Sequence, residues 1–185
     1  MRKLTIGVVI GSLRRDSFSR KIANLLIGMM PERLDMKILD ISALSFYNQD
    51  IETDGTTPQA WEDFRAQVRS CDGFLFVTPE YNRSYPAVLK NAIDIGSRPY
   101  GKNSWGGKPA AVISATPGNL GGAGANFHLR QVLACLSVPV MPNEVYLSQV
   151  TDFLGKDGSL TNEGTGKFLQ SVANDFAAWV DKFTS

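Results

Sequence analysis

The sequence predicts an α/β protein: a parallel sheet with helices packed on both faces. Three observations carry this. Short apolar runs alternate along the 185 residues with amphipathic stretches of helical spacing. The runs are apolar almost throughout, as strands covered on both faces are. Finally, the unusual residues are concentrated in the connections after the first, third and fourth runs.

The first strand is residues 4–10. The loop Gly11–Ser19, GSLRRDSFS, follows it. The next helix places Ile22, Leu25, Leu26 and Met29 on one face and ends at Pro31. Met36–Ile41 reads as the second strand, and residues 42–57 show no clear period. Thr57 then caps a helix that has Pro58 at its first position and Trp61, Phe64 and Val68 as its buried stripe. Cys71-Asp72-Gly73 closes that helix, and Phe74–Val77 is the third strand.

After the loop Thr78–Tyr85, Pro86 opens a helix with Val88, Leu89, Ala92 and Ile93 inward. A connection over 96–108 leads to the fourth strand, Ala110–Ser114, and then to the glycine-rich loop Thr116–Gly124. A helix over Asn126–Leu136 carries Leu129, Val132, Leu133 and Leu136. Val138–Leu147 reads as a strand broken by Pro139 and Pro142, and 151–161 as a hairpin or loop around Asp157-Gly158. The last helix, Glu163–Phe183, repeats Phe168, Val172, Phe176, Trp179 and Phe183 at three- and four-residue steps, which predicts a core-facing stripe.

Five strands in this pattern suit a flavodoxin-like three-layer sandwich of order 2-1-3-4-5, one domain spanning residues 1–185. In such sheets ligands lie beyond the carboxyl ends of the strands, where the order reverses. The loops after strands one, three and four should therefore converge on one crevice.

The first loop combines the hydroxyls of Ser12, Ser17 and Ser19 with the cations Arg14 and Arg15 at a helix start. Free N–H groups there favour an anion, and hydroxyls with a guanidinium match the oxygens of a phosphate monoester. A helix-capping serine beside solvated arginines is the alternative. The second loop, TPEYNRSYP, offers the flat face of Tyr81 and the donor and acceptor of Asn82, which suit a planar isoalloxazine ring; an ordinary turn with a surface tyrosine is the alternative. In the third loop Thr116 and the amides near Gly118 can meet the ring edge, while Gly121–Gly124 suit either a mobile flap or a loop without a role. Together the loops point to flavin mononucleotide, FMN. Neither GxxxxGK[ST] nor GxGxxG occurs, so the nucleoside triphosphate and dinucleotide fingerprints are missing.

Composition limits the classes further. A content of 43% hydrophobic and 20% charged residues is globular, and a net charge of +1 points to neither nucleic acid nor an anionic membrane. Cys71 and Cys135 sit in apolar sequence and read as buried small residues; with a single histidine they do not suggest a metal site. No secretory signal and no run of some 18 apolar residues is visible, so a cytoplasmic protein is expected.

The segments GSLRRDSFS and TPEYNRSYPAVLKNAID resemble the NAD(P)H-dependent FMN reductases, in particular their chromate and quinone reductase branch, and the resemblance runs over essentially residues 4–180. It implies noncovalent FMN, NAD(P)H as cosubstrate, and a homodimer or homotetramer with the flavin near a subunit interface. It also implies small-molecule acceptors such as quinones, flavins, azo dyes or chromate. By the same resemblance Ser12, Arg14, Ser17 and Ser19, with Phe18 among them, hold the phosphate. Pro79, Glu80, Tyr81 and Asn82 meet the ring, and Thr116 to Gly118 approach its far side. Arg83 departs from the pattern, since relatives often carry an aromatic residue there; its charge suits anionic substrates. The cofactor carries the chemistry, so no catalytic side chain is nominated. His128, at a helix start, suits a structural or interface role, and Lys90 can pair with Asp94 one turn on. The rival reading is a flavodoxin-type electron carrier, which oxidises no NAD(P)H of its own. Such carriers are typically strongly acidic, and this chain is not.

Overall fold

The computed structural model describes residues 2–184. Five parallel strands form one sheet of order β2-β1-β3-β4-β5: β1 Leu4–Ile10, β2 Leu34–Leu39, β3 Gly73–Thr78, β4 Ala110–Ala115 and β5 Val145–Leu147. The helices are α1 Phe18–Met29, α2 Gln49–Thr53, α3 Gln59–Ser70, α4 Ala87–Gly96, α5 Ala123–Cys135 and α6 Glu163–Thr184. The flavodoxin-like architecture expected from the sequence is the one observed.

The period-2 geometry of the strands divides the core in two. Ile6, Val8 and Ile10 of β1, with Leu75 and Val77 of β3, pack against Ile22 and Leu26 of α1 and against α6. Their neighbours Val9, Phe74 and Phe76 point the other way, toward Trp61 and Phe64 of α3, Leu89 and Ile93 of α4, and Leu129 and Leu133 of α5. Among the described residues no helix is long and apolar enough to cross a membrane.

Several boundaries differ from the sequence reading. β2 begins and ends two residues early, because Leu34 and Met36 pair with Leu4 and Ile6 while Asp40 and Ile41 run past the ladder. Thr57 does not cap α3; Pro58 holds the cap position with no side-chain bond. α2 lies within the stretch that showed no period, too short to repeat one. The strand read over Val138–Leu147 is reduced to a single bridge from Val140 to Ala110 and the three residues of β5, since the prolines interrupt the ladder.

In α6 the buried line is Leu169, Val172, Ala173, Phe176, Ala177 and Val180. Phe168 and Phe183 stand on its solvent side, 45% and 44% exposed, so the expected aromatic stripe is rotated out of the core at both ends. Cys71 is buried as expected, but Cys135 is exposed, in the last turn of α5 on the side away from the sheet. Leu154 and Leu160 form a single antiparallel bridge around Asp157-Gly158, the hairpin of the two alternatives, hairpin or loop, read there.

Candidate active site

The first loop leaves β1 at Gly11, whose N–H donates to Val77 O at 2.9 Å and so ties the loop to the neighbouring strand β3. A Cβ at Gly11 would stand 2.9 Å from Thr78 Oγ1, so only glycine lets the first loop lie against the start of the second. The three serines are all buried although this is a surface loop: Ser12 and Ser17 are 3% exposed and Ser19 is 1%. Ser17 is the N-cap of α1 and accepts from Arg20 N–H at 3.3 Å, so for this residue the capping alternative is realised. Ser12 Oγ accepts from Arg14 N–H at 3.4 Å. Ser19 Oγ has no hydrogen-bond partner among the described residues. A buried hydroxyl without a partner costs about 1–3 kcal/mol, and capping does not account for it. Beside it Phe18 opens α1, half-buried against the core, and the guanidinium end of the loop, Arg14, is exposed. This helix start gathers an orphaned hydroxyl, a capping hydroxyl and end-of-helix backbone donors, the kinds of group that bind an oxyanion.

The second loop is a two-residue hairpin turn. Tyr81 and Ser84 exchange backbone bonds of 2.8 and 3.0 Å, and Asn82 and Arg83 have φ of 51° and 67°. Two successive left-handed residues define a type I′ turn, comfortable for Asn and strained for Arg. Tyr81 is thereby fixed at the rim, 48% exposed. Pro79 precedes it, its carbonyl accepting from Thr78 Oγ1 at 2.8 Å.

Glu80 takes a part that its place in the sequence did not suggest. Its Oε2 accepts from Ala125 N–H at 3.0 Å, in the first turn of α5. A carboxylate there satisfies an end-of-helix donor and faces the positive end of the helix dipole. Ser84 Oγ and His128 Nδ1, 3.0 Å apart, add a second link between the same two elements. Arg83 Nη1 lies 4.0 Å from Glu80 Oε1.

The third loop packs against both neighbouring segments. Gly122 is the left-handed N-cap of α5, and Ala123 and Gly124 are already helical. A Cβ at Gly124 would meet Arg83 O at 2.6 Å, so this end of the stretch read as either a flap or a loop without a role packs against the second loop. Thr116 N–H donates to Leu147 O, and Gly118 O accepts from Gln149 N–H at 3.3 Å, which anchors this loop to the segment after β5. Thr116 is half-buried and Gly118 exposed.

Behind the loop, Asn126 is fully buried and donates to Val112 O, Val145 O and Ser114 Oγ, while Ser114 Oγ donates to Gly121 O at 2.7 Å. Arg130 completes the cluster, donating to Asn126 Oδ1 and to the carbonyls of Met141 and Asn143. An amide at a core position of an apolar helix was the available signal for this support, and the sequence reading passed over it.

The geometry thus brings Ser12, Ser17, Ser19 and Arg14 to one loop, Pro79 to Arg83 to the next, and Thr116 and Gly118 to a third. All three lie at the carboxyl edge of the adjacent strands β1, β3 and β4. A family model described as NADPH-dependent FMN reductase matches residues 4–152, from the start of β1 through the segment that anchors the third loop. The chain belongs to this family. Among the FMN reductase relatives, a quinone reductase of Pseudomonas putida is 48% identical over 177 residues, covering 95% of this chain and 94% of its own. A 2-hydroxy-1,4-benzoquinone reductase of a Burkholderia species is 43% identical over 96% of each chain. The solved structure of FerB, an NAD(P)H:(acceptor) oxidoreductase of Paracoccus denitrificans, superposes with a TM-score of 0.90 at 40% identity, over 97% of this chain and 98% of that one.

Proposed function

We propose that this member of the FMN reductase family is an NAD(P)H-dependent, FMN-containing oxidoreductase whose main acceptors are quinones. Free flavins, azo dyes and chromate are further acceptors of the same open site. The observation that carries the reading is the buried, unpartnered hydroxyl of Ser19 in a serine- and arginine-bearing helix start, next to an exposed aromatic ring fixed by a rigid turn. Bound FMN supplies two-electron acceptance from a nicotinamide and release to an acceptor.

The chain's own residues bind and orient. Ser12, Ser17, Ser19 and Arg14 hold the phosphate, with Phe18 securing α1 beneath them. Backbone groups of Pro79 to Arg83 and the ring of Tyr81 hold one side of the isoalloxazine, and Thr116 and Gly118 its far side. No side chain is assigned a proton-transfer step, and FMN is held noncovalently.

Residues 1–185 act as one FMN-binding domain in the cytoplasm, in this reading. Tyr81, Leu120 and Phe127, 48%, 58% and 53% exposed, leave an apolar rim that suits a homodimer or homotetramer with the ring near the interface. Lys90, bonded to Asp94 at 2.7 Å, forms a solvated pair on α4 that such an interface could use.

Reductant and acceptor share one crevice, which predicts alternating binding. Steady-state kinetics of the FMN-loaded protein with NADH or NADPH and a quinone should give turnover with parallel double-reciprocal lines. A bound flavin that neither NADH nor NADPH reduces would instead identify an electron carrier, and intersecting lines would oppose the shared site.

A further inference from the structure

A second cleft, of about 470 Å³, opens beside the first loop on the side away from the other two. Ile10 and Ser12 form its inner wall, and Leu13 and Ile38 its apolar sides. Leu13 and Ile38 are 49% and 41% exposed, and these two large aliphatic side chains line the same open groove. Its polar groups come from two other elements. Asp40 directly follows the edge strand β2, and Arg20 stands on α1 across from it. Ser42 N–H donates to Asp40 Oδ1 at 2.8 Å, which folds the chain back and fixes the carboxylate at the mouth.

We propose that this cleft is the nucleoside subsite of the reductant, with adenine between Leu13 and Ile38 and the ribose diol on Asp40. Three features select that occupant. An apolar slot flanked by one carboxylate matches a flat base joined to a sugar with two vicinal hydroxyls, both donors. The cleft is continuous with the proposed phosphate loop through Ser12, so it belongs to the same rim of the sheet. From β2 to β4 is three strand spacings, roughly 14 Å. An extended dinucleotide spans such a distance, whereas a mononucleotide held at the first loop and reaching the other two does not enter the cleft.

A carboxylate that accepts from a ribose diol also repels a phosphate placed on the 2′ oxygen. Hydrogen bonding from Ser42 holds Asp40 below the ordinary carboxylate range, with the Arg20 charge as a smaller contribution, so it is an anion at neutral pH. Asp40 therefore discriminates between NADH and NADPH. This inference rests on the proposed oxidoreductase function.

The test is calorimetric titration of the FMN-loaded protein with AMP and with adenosine 2′,5′-bisphosphate, followed by kinetics with NADH and NADPH. AMP should bind saturably and the bisphosphate about tenfold more weakly, a gap of about 1.4 kcal/mol. Asp40→Asn, at an exposed position, should close the gap and raise KM for NADH about tenfold more than KM for NADPH. Ile38→Ser should weaken both nucleotides alike. Equal binding of the two by the unmodified protein, binding of neither, or parallel changes for both donors in Asp40→Asn would overturn the subsite. Failure of FMN to bind would strike the proposed function instead, and AMP titration of the flavin-free protein would still decide the cleft.

Discussion

Ser19 and Glu80 do opposite things with a polar atom. Ser19 Oγ is buried and unpartnered, which destabilises the folded chain, whereas Glu80 Oε2 satisfies Ala125 N–H at the start of α5. Ser19→Ala should therefore stabilise the flavin-free protein by about 1 kcal/mol while weakening FMN about tenfold. Denaturant melts with and without FMN measure both; equal destabilisation in the two states would mean that the hydroxyl serves packing alone. Glu80→Ala should cost about 1–2 kcal/mol, with Glu80→Gln recovering part of it because an acceptor is kept. Indistinguishable melting of the two variants would remove the capping role. Of these residues Ser19 was legible in the sequence through its motif, but the side-chain role of Glu80 was not. Its partner lies 45 positions away, and no local pattern reports such a contact.

At the scale of elements, the second loop and α5 form one unit, joined by Glu80, by Ser84 with His128, and by the close approach of Gly124 to Arg83 O. Tyr85 closes that loop and is buried, which pushes its phenol up to about 12, with the nearby Asp94 charge as a smaller cause. An unfolded tyrosine ionises near 10, so between pH 10 and about 12 the unfolded state loses the proton first and stability falls as pH rises. The loss amounts to about 2–3 kcal/mol. Tyr85→Phe should flatten that part of the stability curve; a curve of unchanged slope would place the alkaline transition elsewhere.

β1, β3 and β4 were legible as unbroken apolar runs, and the helices α1, α3 and α4 because each carries a helical period. What escaped was structure set by distant partners. Residues 42–48 are strapped to α4 by Asn91, which accepts from Tyr47 N–H at 2.8 Å and donates to Ser45 O. Trp105, from a connection that reads as polar, fills the core between Phe74 and Phe76 and donates to Ile93 O. Phe168 and Phe183 looked like core by spacing, but the smaller Ala173 and Ala177 are the residues that let α6 approach the sheet.

On the scale of the whole molecule, the order β2-β1-β3-β4-β5 brings the loops after β1, β3 and β4 to one edge. That convergence was readable from topology before any contact was known, because the order reverses between β1 and β3. The near-neutral chain, with a net charge of +1, suits a site open to small acceptors better than docking with a strongly charged protein. Equilibrium titration of the folded, flavin-free protein with FMN, followed by the quenching of flavin fluorescence, tests the central claim most directly. Saturation at one FMN per chain is predicted, with Ser12→Ala and Arg14→Ala each weakening binding about tenfold or more. A folded protein that leaves flavin fluorescence unchanged at saturating FMN would contradict the account.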